Sequence, residues 1–298
     1  MGLSKYPSKV HLPLHNPGCV TVLDYLVVKF PYIAENVWQQ RLMDGKVHWL
    51  NGEVIDSSTL YRSQQCVCYY REVEQEPIIP FEENIVFQDE HILVACKPHF
   101  LQVTPGGNYV DECLQSRLRR KTGNDDLQAL HRLDRETAGL VLFSVNPDTR
   151  SSYHALFEHH EITKTYQAVA DVGAEAMLCK HWVVKNRMEK STPRFVMHIV
   201  PGEVNAHSVI ECVDQQAGKG LFELSPVTGK THQLRVHMAS IGHSIMNDKV
   251  YPVLKPKAED DFSKPLQLLA KKLMFVDPIT REERFFYSDR VLLSQEGL

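Results

Sequence analysis

Residues 139–144, Gly-Leu-Val-Leu-Phe-Ser, are the feature that most restricts the fold, because an apolar run of strand-forming residues predicts a buried strand. Four ionisable side chains stand directly before it: His131, Arg132, Asp134 and Arg135. Small residues at 137–139 suit a place where another segment approaches the backbone closely. Nearby positive charge favours the ionised form of a carboxylate, so Asp134 is a candidate nucleophile or base. A surface loop whose charges pair with each other is the alternative interpretation.

The composition indicates an ordinary soluble protein. The chain has 298 residues, 43% hydrophobic and 23% charged, which suits one large or two unequal domains. Residues 1–9 lack the apolar core of a signal peptide, and no run approaches the length of a membrane span. The seven cysteines are odd in number and scattered, so we expect no disulfide framework and a cytoplasmic location. A net charge of -4 argues against a broadly basic nucleic-acid coat but permits local basic surfaces.

The N-terminal part predicts a small separate α/β module. Thr21 suits the N-cap of a first helix, and a second helix is expected over 34–44. Strands are expected at 46–50 and 53–55, around a tight turn. Two helices and a hairpin, with Arg41–Val47 and Asn51-Gly52, resemble the alpha-L RNA-binding module of ribosomal S-four-type proteins. Residues 21–70 contain few basic residues that could contact RNA: Lys29, Arg41, Lys46 and Arg62. RNA binding by this module and a structural role without RNA therefore both stay open.

An acidic, proline-marked stretch follows and predicts a domain boundary. It contains Glu72, Glu74, Glu76, Glu82 and Glu83 around Pro77 and Pro80. We therefore expect an RNA-binding-like module over residues 1–75 and a catalytic domain over residues 76–298.

The remainder alternates between strand and helix patterns. Strands are expected at 84–87, 91–96, 139–144, 164–171, 195–200, 208–213, 221–224, 267–276 and 284–287, and helices at 111–121, 148–160 and 230–241. Cations at Arg117, Arg119, Arg120 and Lys121 suit either a solvated helix end or a phosphate contact. The pattern predicts an α+β fold with a mixed, mostly antiparallel sheet and flanking helices.

The sequence lacks the residue patterns of several other kinds of functional site. Gly229-Lys230-Thr231 is similar to the end of a phosphate-binding loop, but Leu224 stands where that motif needs glycine. No glycine-rich dinucleotide fingerprint follows a strand. The histidines and cysteines lack workable ligand spacing, so no metal site is expected. A hydrolase using Asp134 with a histidine is disfavoured because nothing supplies an oxyanion hole or a nucleophile motif.

Four motifs over about 85–292 resemble those of the RluA-type pseudouridine synthases. They are Lys97-Pro98 with Val103 and Pro105, then His131-Arg132-Leu133-Asp134 with Thr137 and Gly139, then Lys164-Thr165-Tyr166, and last Thr228 to His237, Thr-Gly-Lys-Thr-His-Gln-Leu-Arg-Val-His. The resemblance implies isomerisation of uridine to pseudouridine in RNA, without metal or organic cofactor. It also implies a mixed antiparallel sheet with a central cleft.

The resemblance further assigns roles. Asp134 is the catalytic carboxylate, Arg235 its basic partner, and Tyr166 the aromatic that stacks on the target base and assists proton removal. Leu234 closes the apolar floor, and Arg132 lies near the extruded base. The substrate-binding set comprises His131, Arg132, Arg135, Thr137, Lys164, His232 and Leu234. Ala138 and Leu269 depart from the family's usual serine and histidine, which affects substrate details rather than chemistry.

The sequence therefore predicts a monomeric RNA pseudouridine synthase that acts on ribosomal or transfer RNA. A catalytically silent RNA-binding or assembly protein on the same fold is the alternative. The joint presence of Asp134, Tyr166 and Arg235 favours the enzyme.

Overall fold

A computed structural model of the chain describes residues 2–3, 6–73, 76–107, 109–193 and 195–292. The chain divides into two units: Met1–Pro77 with Gly106–Asp111, and Ile78–Pro105 with Glu112–Leu298. Glu74 of the expected acidic boundary lies outside the described residues, as does Gln75, the last residue of the expected module. The functional division at residues 75 and 76 stays a prediction.

The first unit packs two helices against a small sheet. Its elements are β1 (Gly2–Leu3), β2 (Ser8–His11), α1 (Val22–Lys29), α2 (Glu35–Met43), β3 (Val47–Trp49), β4 (Cys66–Tyr69) and β5 (Glu72–Val73). The side chains of Thr21 and Asp24 cap the start of α1 reciprocally, as a Thr before an apolar helix predicts. The buried Trp38 ring contacts Tyr69 and Phe30 and forms the aromatic centre of this unit's core.

The predicted hairpin at 46–55 is wrong in its second strand. Residues 53–55 form only an isolated bridge between His48 and Val54, and the strand paired with β3 is β4. Ile55 is fully buried, and the Asp56 carboxylate accepts hydrogen bonds from Ser58 and Thr59. This side-chain-capped turn takes the chain away from the sheet, so the second strand cannot lengthen.

The second unit contains the remaining elements. They are β6 (Asn84–Gln88), β7 (Ile92–Lys97), α3 (Leu114–Thr122), β8 (Gln128–Ala129), β9 (Ala138–Ser144), α4 (Arg150–Glu158), β10 (Thr163–Asp171), β11 (His181–Lys190), β12 (Met197–Val200), β13 (Ala206–Gln216), β14 (Lys219–Pro226), α5 (Gln233–Ser240), β15 (Leu268–Val276) and β16 (Glu283–Tyr287). Strand β11 was not expected.

One large sheet runs through this unit in the order β12-β11-β13-β14-β10-β15-β9-β7-β6, with β16 on β15 and β8 on β9. Every pairing is antiparallel except a short parallel contact between β15 and β9. The α+β class and the mostly antiparallel sheet are therefore confirmed. Strand β9 is buried along its whole length, as its apolar run predicts.

Gly139 makes the parallel contact possible. Its φ is +116°, and a Cβ there would lie 2.3 Å from the carbonyl oxygen of Ala270. Any larger residue would push β15 away from β9, so the close approach expected at 137–139 is confirmed.

The cations of α3 are largely engaged within the unit. The Arg117 guanidinium donates to the carbonyls of Phe81 and Ile79 and pairs with Glu83 and Glu112. The Arg119 Nε donates to the Leu127 carbonyl. The expectation that all four cations of this helix could meet phosphate is therefore wrong for Arg117, whose side chain points inward.

Candidate active site

Asp134 lies in the loop between β8 and β9, and hydrogen bonds from neighbouring side chains fix the backbone of this loop. The imidazole Nε2 of His131 accepts a hydrogen bond from the Leu142 N–H at 3.0 Å. Burial lowers the pKa of His131 to about 3, so the ring is neutral, and it packs against the Phe157 ring. His131 thus fixes the entrance of β9, although it also lines the site.

Two side chains from residues 97–99 hold the carbonyls that follow Asp134. The buried Lys97 ammonium donates to the carbonyl oxygens of Arg135, Pro98 and Leu101. The His99 Nδ1 donates to the Glu136 carbonyl at 2.7 Å. Burial lowers the pKa of Lys97 to about 7. Together these bonds fix the backbone from which the Asp134 side chain projects.

Arg235, on α5, lies between two carboxylates. Its Nε and Nη2 donate to Asp248 at 2.8 and 2.7 Å, and both side chains are buried. The third nitrogen, Nη1, lies 3.6 Å from the Asp134 Oδ2, longer than a hydrogen bond. Burial opposes the charge of Arg235, but the hydrogen bonds that it donates to Asp248 raise its pKa. The expected Asp134–Arg235 pair is thus present as a near contact, and the tight partner of Arg235 is Asp248.

His232 approaches Asp134 from the other side. Its Nε2 lies 3.8 Å from the Asp134 Oδ2, and a 3.0 Å hydrogen bond joins its Nδ1 to the Tyr251 hydroxyl. The φ of His232 is +54°, a left-handed conformation that a residue with a side chain rarely adopts. Helix α5 therefore begins at Gln233 rather than at Lys230, where the sequence pattern placed it. Burial lowers the pKa of His232, and Asp134 opposes that shift.

Tyr166 and Lys164 lie on β10, two residues apart. The pairing of β10 with β15 shifts register beside Tyr166, an irregularity that re-aims side chains in many active sites. Burial and, secondarily, Asp134 raise the pKa of Tyr166, so its phenol is protonated at neutral pH.

A cavity of about 600 Å³ brings these groups together. Its lining contains all the predicted site residues except Arg135: Asp134, Tyr166, Arg235, His131, Arg132, Thr137, Lys164, His232 and Leu234. Asp134 is the one carboxylate among the lining residues in the described part of the chain. The arrangement presents a single acidic group among cations, with a phenol and apolar side chains beside it.

Comparison with known proteins gives this arrangement its context. The family model described as RNA pseudouridylate synthase matches residues 91–240. The dual-specificity RNA pseudouridine synthase RluA of Haemophilus influenzae is 32% identical over 226 residues, covering 72% of this chain and 96% of that protein. The chain belongs to the RNA pseudouridylate synthase family. Its enzyme class is therefore isomerase, and its substrate is uridine in RNA.

Two further similarities agree with this pseudouridine synthase assignment. A mitochondrial tRNA pseudouridine(32) synthase of Saccharomyces cerevisiae is 26% identical over 235 residues, covering 77% of this chain. The chain spans half the length of that yeast protein. The solved structure of human RNA pseudouridylate synthase domain containing 1 shares the fold, with a TM-score of 0.57 at 21% identity, covering 72% of this chain and 86% of that one. The alternative of a catalytically silent RNA-binding protein is not favoured.

Arg135 differs from the rest of the predicted substrate-binding set of this synthase. Its guanidinium donates two hydrogen bonds to Asp260, at 2.7 and 2.8 Å, and does not line the cavity. Its side chain fastens the loop after Asp134 to the segment around Asp260. Its predicted contact with substrate has no support in this geometry.

Sequence reasoning missed Asp248 and Tyr251, which hold Arg235 and His232. The Asp248 carboxylate also accepts hydrogen bonds from the N–H groups of Val250 and Tyr251, so one turn carries both side chains. A buried arginine needs a carboxylate partner, so a buried Arg235 alone predicts that some acidic residue pairs with it. Nothing in the spacing tells which of the nearby acids supplies it.

Two findings concern metals and membranes. Within the described ranges, no group of three or more His, Cys, Asp or Glu residues is arranged to hold a metal ion. None of the helices in that part of the chain has the length and apolarity needed to cross a lipid bilayer.

Proposed function

We propose that this chain converts specific uridines of structured transfer or ribosomal RNA to pseudouridine, with Asp134 as the group that acts on the ribose. One observation carries the proposal. Asp134 is the single carboxylate lining a cavity that also holds Tyr166, Arg235 and further cations, among the described residues. The reaction requires such a carboxylate, a surface for the base and positive charge for the RNA backbone.

The reaction rearranges bonds without adding or removing atoms. The bond between N1 of uracil and the anomeric carbon breaks, the uracil turns, and C5 bonds to the anomeric carbon. The proton lost from C5 is balanced by the proton gained at N1. No external oxidant, reductant or group donor is needed.

Asp134 acts at the sugar in either of two ways. It attacks the anomeric carbon as a nucleophile, or it removes a proton from the neighbouring ribose carbon as a base. Both require the ionised carboxylate, and the Arg235 Nη1 lies 3.6 Å from its Oδ2. Because Asp248 holds Arg235 by two hydrogen bonds, the guanidinium keeps its position while Asp134 reacts.

The remaining cavity residues hold the base and the sugar. Tyr166 packs against the uracil ring, and its protonated hydroxyl enters as a hydrogen-bond donor. Leu234 supplies an apolar wall, while the exposed Arg132 fills the gap that the extruded nucleotide leaves in the RNA. Thr137 and His232 border Asp134 on its two sides.

The choice of RNA and the setting of the protein are also proposed. The relatives are named for transfer RNA and for RNA with dual specificity, so transfer and ribosomal RNA are both substrates to test. All seven cysteines are free thiols, which supports a reducing compartment, the cytoplasm. A single chain supplies Asp134, Tyr166 and Arg235 to one cavity, so the proposed reaction needs no second copy and we propose a monomer. We propose residues 1–75 as an accessory RNA-binding-like module and 76–298 as the catalytic domain.

The test compares the wild-type chain with Asp134→Asn on transfer and ribosomal RNA transcripts, followed by mapping of pseudouridine. The variant keeps the side-chain shape but loses the charge, so turnover should fall at least about a thousandfold while RNA affinity stays within about twofold. Pseudouridine formation by Asp134→Asn near the wild-type rate would contradict the role of this residue. Absence of product from the wild-type chain on every RNA would contradict the function.

A further inference from the structure

Lys164 is a half-buried cation of the second unit that, unlike the buried Lys97 and Arg235, has neither a carboxylate partner nor a hydrogen-bond acceptor among the described residues. Lys97 donates to three carbonyls, and Arg235 donates to Asp248. Within the described ranges, no carboxylate forms an ion pair with Lys164. Its ammonium lies over the Phe157 ring, 6.0 Å from the ring centroid. Burial lowers the pKa of Lys164, and no carboxylate opposes the shift.

The one carboxylate that lines this cavity among the described residues, Asp134, lies near His232 and Arg235 and forms no ion pair with Lys164. His131, packed on the same Phe157 ring, is neutral. Lys230 and His160 line the same cavity and add further positive or neutral nitrogen groups. Burying a charge without a partner costs free energy, so a site of this kind suits an anionic ligand that completes it.

Lys164 lies close to Tyr166, the residue proposed to pack against the target base. Lys164 and Tyr166 stand two residues apart on β10, so their side chains leave the same face of the strand about 6.6 Å apart. Both line the cavity. If the base packs on Tyr166 and the sugar lies at Asp134, as the proposed function requires, the phosphates of that nucleotide lie in the cavity that Lys164 also lines.

We propose that Lys164 binds one backbone phosphate of the RNA, at the target uridine or at the nucleotide beside it. This inference rests on the proposed function, because it takes RNA as the ligand and Tyr166 as the platform for the base. It assigns to Lys164 binding of the backbone and no part in the bond rearrangement.

The first test is RNA binding by Lys164→Met. The probe is the synthetic stem-loop, from a panel of transfer and ribosomal RNA hairpins, that the wild-type chain binds most tightly. At low salt we expect about tenfold weaker binding, as for loss of one charge-assisted hydrogen bond. The slope of log affinity against log salt should fall by about 0.7 to 0.9, the value for one phosphate. Because the variant removes a half-buried charge that no carboxylate balances, its thermal midpoint should not fall.

Lys272→Met is the matched control. Lys272 lies on the adjacent strand β15, but its ammonium is 3.4 Å from a Glu223 carboxylate oxygen. Its charge is already balanced, so its removal should change the salt slope by less than about half of one phosphate contact. Equal salt slopes for wild type and Lys164→Met would overturn the proposal, as would the absence of measurable binding across the whole panel.

A second measurement identifies the phosphate. Single methylphosphonate linkages, which are neutral, replace each phosphate around the target uridine in turn. We expect one linkage at which neutralisation weakens wild-type binding about tenfold but leaves Lys164→Met unchanged. If Lys164→Met loses as much as wild type at every linkage, Lys164 binds no phosphate. Pseudouridine formation is scored separately, so loss of the proposed function and loss of the phosphate contact are distinguishable.

Discussion

Two cations of the first unit, Lys46 and Arg62, have different surroundings from the cations that line the cavity in the second unit. In the first unit, Lys46 lies 2.8 Å from Asp44 and 2.5 Å from Glu72, and Arg62 lies 3.6 Å from Glu53. In the cavity, Arg132, Lys164 and Lys230 form no ion pair with a carboxylate of the described chain. A count of basic residues treats the two sets alike, whereas their counter-charges distinguish a surface that is already neutralised from one that is open to phosphate.

A third class of cation is buried and holds the active-site residues in position. Arg235 is held by a buried carboxylate, and Lys97 by three carbonyl oxygens. Exposed ion pairs contribute little to stability, whereas breaking a buried one leaves an unpaired charge inside the protein. The predictions below test whether these classes behave differently.

Among the variants that test these classes of cation, the largest effect is expected for Asp248→Asn, which should change both stability and rate. The substitution keeps the volume but removes the charge that holds Arg235, so Arg235 is left to close on Asp134. Loss of one partner of a buried pair should cost roughly 3 kcal/mol of unfolding free energy, because the asparagine carbonyl still accepts one hydrogen bond. Single-turnover rates on saturating RNA should fall at least about tenfold, with RNA affinity little changed.

The matched control is Asp261→Asn, whose carboxylate makes an exposed pair with Lys264. This variant should match wild type in rate and in thermal midpoint. Rates are compared at a temperature at which every variant is fully folded, so that instability does not mimic a loss of rate. A rate for Asp248→Asn within twofold of wild type would show that Arg235 needs no second carboxylate for its position.

An intermediate effect is expected from the titration of Lys97. Its folded pKa is about 7, below the ordinary value of 10.5, so between these values the unfolded chain binds more protons than the folded chain. The free energy of unfolding should therefore rise with pH from about 7 to about 10, by about 1 kcal/mol per pH unit, and change little from this source below pH 7.

Lys97→Met removes the titrating group and serves as the reference. Urea titrations of both proteins at several pH values should show wild type gaining stability over the variant as the pH rises above 7. A constant difference between the two proteins across this range would mean that carbonyl contacts hold the ammonium charged in both states. Lys97 would then resemble a fully paired cation.

Local patterns determined much of what the sequence predicted correctly. The apolar run of β9 and the small residue at Gly139 needed only their own segment to be recognised, and both are confirmed. Strand β11 was missed because its residues include several cations, Lys185, Arg187 and Lys190, in place of a continuous apolar run. Alternation outweighs charge at such positions, because the polar residues face solvent.

The site residues divide in the same way. Motif resemblance selected Asp134 and Arg235, and the fold brings them within 3.6 Å. The left-handed backbone of His232 and the partnership of Arg235 with Asp248 depend on tertiary packing that neither spacing nor propensity encodes. Arg135 belongs to the substrate-binding set that the resemblance assigns, but its guanidinium pairs with Asp260.

The smallest effect is expected in the first unit, for the double variant Lys46→Gln, Arg62→Gln. Both cations already have carboxylate partners, so their charge contributes little net attraction for phosphate. We expect the salt slope of RNA binding to change by less than about half of one phosphate contact, and turnover to stay at the wild-type value.

The full chain is used because Gly106–Asp111 belongs to the first unit, and removing residues 1–77 would leave that segment without its surroundings. The comparison variant is Lys164→Met, which removes one charge fewer yet should change the slope more. If the double variant lowers the slope by a full contact or more, the paired cations exchange their carboxylates for phosphates on binding. Counter-charges in the free protein would then fail to distinguish an RNA-binding surface from a neutralised one.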